Sequence, residues 1–195
     1  MKIKLILIFS TGALLLNPSY FTGWAQSYRE SAPISPVYVY KQMLLYAEQG
    51  ESGKISKLLS SVEEILDALS SNFQQDLRNK ITEAINSGSR REILNSIYTL
   101  IFYDMKDVFR ATVEGLREGL SLAALKERLK FAYLDYLLVS PTARKKEFNL
   151  DRNIRKLFTG LLTAELAKAV DEGEASSIES KFDAILNDYR SIFGL

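Results

Sequence analysis

The pattern of apolar residues along the chain becomes helical from about residue 36 onward. Apolar side chains recur there at spacings of three and four, which places them on one face of an α-helix. No segment shows the strict alternation of apolar and polar residues that indicates a β-strand. The sequence therefore predicts an all-α fold. The clearest run comprises Ile55, Leu58, Leu59, Val62, Ile65, Leu66 and Leu69.

Start and stop signals divide this region into about seven helices. Ser35 is followed by Pro36, a residue that is favoured at the first helical position. Gly50, Gly88 and Gly173 follow apolar runs, where glycine ends a helix most readily. The predicted helices span residues 37–48, 54–69, 73–85, 90–116, 122–139, 151–170 and 176–193.

Capping residues predict how several of these helices begin. Ser89 and Glu92 have the spacing of a capping box, and so do Ser176 and Glu179. Asp151 is placed to cap the helix that follows it.

Pro141 is expected to end the fifth predicted helix, because proline lacks the amide hydrogen that a helix interior requires. A loop over residues 141–148 would then carry Arg144, Lys145 and Lys146. This basic loop is either a solvated connection or a surface that steers an acidic partner.

Helices joined by short glycine turns favour an up-and-down bundle or a stack of helical hairpins. The residues after Gly88 and Gly173 are also alike, since an isoleucine follows each glycine at plus five, as Ile93 and Ile178. This similarity reflects either an internal duplication or the general form of an amphipathic hairpin that ends in glycine.

The N-terminus has the layout of a secretory signal peptide. Lys2 and Lys4 precede an apolar stretch over residues 5–16, and Gly23 and Ala25 supply small side chains before a cleavage point after Ala25. Residues 1–25 are thus predicted to be a signal peptide, residues 26–35 an extended arm, and residues 36–195 one helical domain. We expect a periplasmic or secreted protein with no transmembrane segment after cleavage.

The amino-acid composition limits the catalytic groups and cofactor sites that the chain can provide. The chain contains no His and no Cys, which rules out the usual general base near neutral pH, thiolate zinc sites, iron–sulfur clusters and covalently attached haem. Removal of Lys2 and Lys4 leaves 23 basic and 24 acidic side chains, a balance that favours no nucleic-acid partner. We expect no cofactor and no enzymatic activity.

Carboxylates are the remaining candidates for ligand chemistry. Asp104 falls in the middle of the apolar stripe of its helix, and Asp107, Glu114 and Glu118 lie on the same flank. These four acids either line one groove that holds a hard cation or a small ligand, or leave Asp104 paired with a Tyr, Lys or Arg of a neighbouring helix and the others in solvent. Glu63, Glu64 and Asp67 form a second acidic edge, for which a solvated face is the simpler interpretation.

Tyrosines are concentrated in the first predicted helix, as Tyr38, Tyr40 and Tyr46. Tyr38, Tyr40 and Val37 point around much of the helix and so cannot all face one core. The tyrosines form either an interaction surface, for which tyrosine is well suited, or the contact between two helices on either side.

Arg117, Glu118, Gly119 and Leu120 form a short Arg-Glu-Gly-Leu run that resembles a motif of bacterial iron permeases. Across residues 80–193, the helix-glycine-helix units and the run Ala132, Tyr133, Leu134, Asp135 and Tyr136 are similar to the periplasmic helical domains of such permeases and of imelysin-like proteins. The resemblance implies a helical envelope domain and a connection with metal handling.

Three classes of function remain open. The leading expectation is an exported, non-catalytic binding or accessory protein of the cell envelope, such as a subunit, adaptor or assembly factor, whose partner is another envelope protein. The alternative is a periplasmic protein that binds a metal or small ligand through buried or clustered carboxylates. A third class, an enzyme with paired carboxylates, would need two acids at a defined separation.

Overall fold

The computed structural model describes residues 35–172 and 174–195. The predicted signal peptide, the predicted arm except for Ser35, and Gly173 lie outside the described residues.

The predicted all-α fold is confirmed, and the described residues contain no strand. If the 3₁₀ turn and the π turn are counted with the helices that they join, seven helical rods follow one another, as the sequence predicts. The elements are α1 (Pro36–Gln49), α2 (Ser52–Leu59), a 3₁₀ turn (Ser60–Val62), α3 (Glu63–Phe73), α4 (Leu77–Ser87), α5 (Arg90–Arg117), α6 (Leu122–Lys146), α7 (Phe148–Gly160), a π turn (Leu161–Glu165), α8 (Leu166–Glu172) and α9 (Ala175–Phe193).

Most of the local end signals act as predicted. Ser35 and Pro36 occupy the N-cap and the first position of α1, although the Ser35 side chain makes no capping hydrogen bond. Ser89 caps α5 by accepting a hydrogen bond from the amide of Glu92 at 3.3 Å, and Gly88 ends α4 in the left-handed conformation at φ 67°. The prediction for Ser176 is wrong, because α9 begins at Ala175 with Glu174 at its N-cap and no side-chain capping bond.

The prediction that Pro141 ends a helix is wrong. Helix α6 continues through Pro141 to Lys146, so the basic segment is the last turn of a helix rather than a loop. Ala143 is buried, Arg144 donates to the Asp151 carboxylate at 3.3 Å, and Lys146 lies over the Phe193 ring. These contacts hold the last turn and offset the hydrogen bond that proline removes.

The predicted helix over residues 54–69 is interrupted. The Ser60 hydroxyl donates to the carbonyl of Lys57 at 3.0 Å, a local bond that competes with the helical pattern. A 3₁₀ turn forms over Ser60–Val62, and α3 then runs on to Phe73. Gln74 ends it in the left-handed conformation.

Helix α5 lies at the centre of the molecule and packs against α1, α3, α4, α6 and α9. It continues unbroken through Gly115. A Cβ there would lie 2.9 Å from Nη1 of Arg128, so glycine leaves room for this guanidinium, which donates to the carbonyl of Ala111 at 2.9 Å. The α5–α6 pair is thus a close antiparallel hairpin.

Within the described ranges, none of the helices combines the length and the apolar character needed to cross a lipid bilayer.

Candidate functional site

Asp104 lies in the core rather than in an open groove. Its side chain is fully buried on α5. The hydroxyl of Tyr40 on α1 donates to Asp104 Oδ2 at 2.8 Å. Of the two interpretations of Asp104, the structure matches the one in which a tyrosine of a neighbouring helix satisfies the carboxylate.

Asp107 is also buried and is held by two donors. Asn72 of α3 donates to its Oδ1 at 3.0 Å, and Arg110 donates to the same atom at 2.7 Å. Burial raises the pKa of the Asp107 carboxyl, and the charge of Asp104 adds to this effect, while Arg110 and Asn72 offset part of it.

The four acids do not form one acidic groove. Glu114 is half-buried, and its Oε1 lies 3.6 Å from Nη1 of Arg110. Glu118 is exposed at the end of α5. Two of the predicted site residues therefore lie in the core, one is at its boundary beside an arginine, and one is in solvent.

A groove does run along this part of α5, but its charges are mixed. It has a volume of about 320 Å³ between α5 and α9, and its floor includes Phe109 and Phe182, whose rings stack at 4.1 Å. An ion pair crosses the groove, in which Nη2 of Arg117 on α5 lies 2.5 Å from Oε1 of Glu179 on α9. The groove presents no excess of acid, because its lining holds as many cations, Lys106, Arg110 and Arg117, as acids, Glu114, Glu179 and Asp183.

Asp151 has a different position from the predicted helix cap. It lies in the first turn of α7, fully buried. Tyr136 and Ser140 of α6 donate to its Oδ1 at 2.8 Å and 2.5 Å, and Nη2 of Arg155 lies 2.9 Å from its Oδ2. Burial by itself raises the pKa of this carboxyl, but the bonds from Ser140, Tyr136 and Arg144 and the charge of Arg155 together hold the pKa below its usual value.

Asp135 on α6 is a further buried acid, which the sequence analysis names within a run of residues but not as a candidate site residue. Its charge acts on Tyr189 of α9, where burial is the main cause of a pKa raised well above the usual value. The Tyr189 hydroxyl donates to the carbonyl of Tyr98 at 3.0 Å. Asp135 lies between Leu134 and Tyr136 in an apolar helix stretch, and this position in the pattern is the signal that could have marked it as buried.

The tyrosines of α1 separate into different environments. Tyr40 is fully buried, so it contributes to no surface. Tyr38 is 56% exposed, whereas Tyr46 is half-buried, with Nζ of Lys54 at 4.9 Å from its ring centroid. Any docking surface on this helix therefore consists of Tyr38 with Leu45, which lies seven residues further on the same face and is also exposed.

The junction of α6 and α7 carries a second set of exposed apolar side chains. Leu134 and Leu137 are exposed on α6, and Phe148, which begins α7, is 55% exposed. Lys145 and Arg152 are exposed nearby in the sequence. Helices α6 and α7 pack against each other, and we call their exposed residues Leu134, Leu137, Pro141, Lys145, Phe148 and Arg152 the α6–α7 junction.

The acidic edge of α3 is solvated. Arg78 lies 2.6 Å from Glu63 and 3.7 Å from Asp67 at exposed positions.

The Arg-Glu-Gly-Leu run forms the exposed turn after α5, where Arg117 is the last helical residue and Gly119 has φ 76°. Within residues 35–172 and 174–195, no three acidic side chains are grouped so that they could hold a metal ion.

Comparison of the chain with protein-family models, with curated proteins and with solved structures finds no match. The resemblance to iron-permease and imelysin-like domains therefore stays a prediction.

Proposed function

We propose that this chain is an exported, non-catalytic binding or accessory protein of the cell envelope, which docks an acidic partner protein through the α6–α7 junction. The observation that carries the proposal is the exposure of large apolar side chains among cations at this junction. Leu134, Leu137 and Phe148 are three of the six large apolar side chains exposed within the described residues.

The apolar part of the surface is continuous along α6. Leu134, Leu137 and Pro141 are separated by three and four residues, so they lie on one outer face of the helix. Apolar side chains grouped in this way favour contact with another protein, whereas single exposed ones need no explanation.

Cations outnumber acids around this surface, where Glu147 is an exposed acid beside Phe148. Lys145, Arg152 and Lys156 are exposed and form no ion pair with any described residue. Unpaired cations beside an apolar surface complement an acidic partner, and they increase the rate of association and the selectivity for that partner.

The alternative function, metal or small-ligand binding through Asp104, Asp107, Glu114 and Glu118, has no comparable support. Tyr40, Asn72 and Arg110 already donate to the two buried carboxylates. These bonds join helices and give the carboxylates a role in the fold.

The experiment is native mass spectrometry of the mature protein, purified gently from its own host. We expect a co-purifying acidic chain, which is released when the salt concentration is raised, because salt screens exposed charges. The double variant Leu137→Glu with Phe148→Glu is expected to lose this chain while its melting temperature stays unchanged.

The matched control is Leu45→Glu, which places the same charge at an exposed leucine of α1. Retention of the partner by this variant, together with its loss from the junction variant, supports the proposed surface. The reverse pattern would move the docking site to α1 and contradict the proposal, and so would the same result for both variants.

A further inference from the structure

A wide cleft opens at the end of the bundle where α5 begins and where α6 and α9 end. It has a volume of about 710 Å³, which lies within the range of about 300–1,000 Å³ typical of small-molecule sites. We call it the end cleft; its main lining residues are Arg90, Arg91, Tyr98, Thr142, Lys146 and Phe193.

Three cations line the end cleft and lack acidic partners. Arg90, Arg91 and Lys146 are exposed, and none of them forms an ion pair with a described residue. The contrast with the α5–α9 groove is direct, because there Arg110 and Arg117 are paired with Glu114 and Glu179. Among the described residues, Glu48 is the one acid that lines the end cleft.

The arginines begin α5, as its first two residues. The amide groups of a first helical turn carry partial positive charge, which favours an anion near them. Arginine side chains add a planar fork of donors that fits a carboxylate or a phosphate. Three cations that form no ion pair outnumber Glu48 in this cleft, and the start of α5 adds to their effect, while the carboxyl ends of α6 and α9 oppose it. The three full charges therefore favour an anion here.

The inner wall of the cleft is aromatic. Tyr98 and Phe193 are almost fully buried, and their ring centroids lie 4.4 Å apart. Nζ of Lys146 lies 5.1 Å from the Phe193 centroid and 5.8 Å from the Tyr98 centroid, so the ammonium group sits at the edge between the rings and solvent. Burial raises the pKa of Tyr98, so its phenol stays neutral and the wall carries no charge.

We infer that the end cleft binds a small organic anion. Its carboxylate or phosphate group lies against Arg90, Arg91 and Lys146, and its apolar part lies against Tyr98 and Phe193. This site is separate from the α6–α7 junction and does not depend on the proposed docking function.

Isothermal titration calorimetry of the mature chain tests the inference with four probes: phenyl phosphate, phenylacetate, inorganic phosphate and phenol. We expect an organic anion to bind more tightly than either inorganic phosphate or phenol, since only the organic anions engage both the cations and the rings. Of phenyl phosphate and phenylacetate, the one that binds more tightly identifies the anionic group that the cleft prefers.

Variants locate the binding. The double variant Arg90→Gln with Arg91→Gln is expected to weaken the affinity for the organic anion by about tenfold or more, since two charge-assisted contacts are lost. The matched control, Arg152→Gln with Lys156→Gln, removes two exposed cations of α7 and is expected to leave the affinity within about twofold.

Three results would overturn the inference: no binding of either organic anion at millimolar concentration, equal weakening by both double variants, or equal affinity for phenyl phosphate and inorganic phosphate. Failure of the docking proposal is recognised separately. The variant Leu137→Glu with Phe148→Glu should retain the organic anion, and the variant of Arg90 and Arg91 should retain the acidic partner.

Discussion

Buried aspartates join pairs of helices in this protein. Asp104 links α5 to α1 through Tyr40, Asp107 links α5 to α3 through Asn72, and Asp151 links α7 to α6 through Tyr136 and Ser140. A buried carboxylate is costly unless donors surround it. Each of these links therefore favours one alignment of its two helices over alternative alignments that would leave the charge without donors.

Replacement of Tyr40 by Phe should destabilise the protein. The substitution removes the hydroxyl that donates to Asp104 and leaves a buried carboxylate with one donor fewer, at a cost of about 1–3 kcal/mol. Urea unfolding measures the loss. Tyr38→Phe is the control on the same helix, and its exposed hydroxyl should matter little; equal effects of the two variants would contradict the role of Tyr40.

Replacement of Asp151 by Asn should lower stability by about 2–3 kcal/mol at pH 7, because it removes hydrogen bonds to a charged group. The full penalty of an unpaired buried charge does not apply, since Arg144 and Arg155 reach solvent. Chemical denaturation measures the change, and Asp183→Asn, at an exposed position of α9, is the control.

A comparison of Asp151→Asn with the wild type also gives a pH test. The pKa of Asp151 is lowered in the folded state, so its stabilisation is present above the unfolded value of about 3.9 and is lost as the pH falls through the folded pKa. The stability of Asp151→Asn should therefore decline less than that of the wild type below about pH 4. A parallel decline would show that the carboxylate contributes nothing. Asp107 acts with the opposite sign, since its pKa is raised, and it is present in both proteins.

At the scale of the element, local signals and tertiary contacts compete for the helix ends. Gly88 ends α4 because its φ of 67° is a conformation that glycine adopts without strain. Pro141 carries an equally strong local signal to stop, yet α6 continues for five residues beyond it. The difference is that buried Ala143 and the bonds of Arg144 and Lys146 hold the turn after Pro141.

Two glycines test how backbone conformation decides the effect of a glycine on stability. Gly88→Ala should destabilise the protein by about 1–2 kcal/mol, because a Cβ is strained in the left-handed region. Gly53→Ala should stabilise it by about 0.5–1 kcal/mol, since Gly53 is helical and has open space around its Cα. Thermal melting of both variants tests the pair, and a shift of the same sign for both would contradict the assignment.

At the scale of the whole molecule, α5 is the element around which the others pack. It contacts α1, α3, α4, α6 and α9, and its middle turns are almost wholly buried. Helix α8 is short and packs beside the π turn. The stability of the bundle therefore depends most on α5.

Hydrogen exchange should show this order. Amide hydrogens in the middle of α5 are expected to exchange most slowly, since they open only when the molecule unfolds globally, whereas those of α2 and α8 should exchange faster through local opening. Hydrogen-exchange mass spectrometry resolves these helices on separate peptides. Exchange in α5 as fast as in α8 would contradict the expected difference in local stability between these helices.

Part of this architecture was readable in the sequence because its causes are local. The helical period of apolar residues, the cap formed by Ser89, and the glycine at 88 act within a few residues of chain. They predicted the all-α fold and the bounds of α5 to within a residue at the C-terminus. The position of Asp104 in an apolar stripe also predicted that it would need a partner.

The partner itself and the surfaces were decided by the tertiary structure alone. Tyr40 and Tyr38 are the same residue type two positions apart, yet one is buried against Asp104 and the other is exposed, because only one side of α1 faces α5. Pro141 is held inside a helix and Asp151 is surrounded by donors because residues of other turns and helices lie beside them. Such contacts join residues distant in the chain, so helical periodicity predicts the elements, while burial, ion pairing and the open surfaces depend on how those elements pack together.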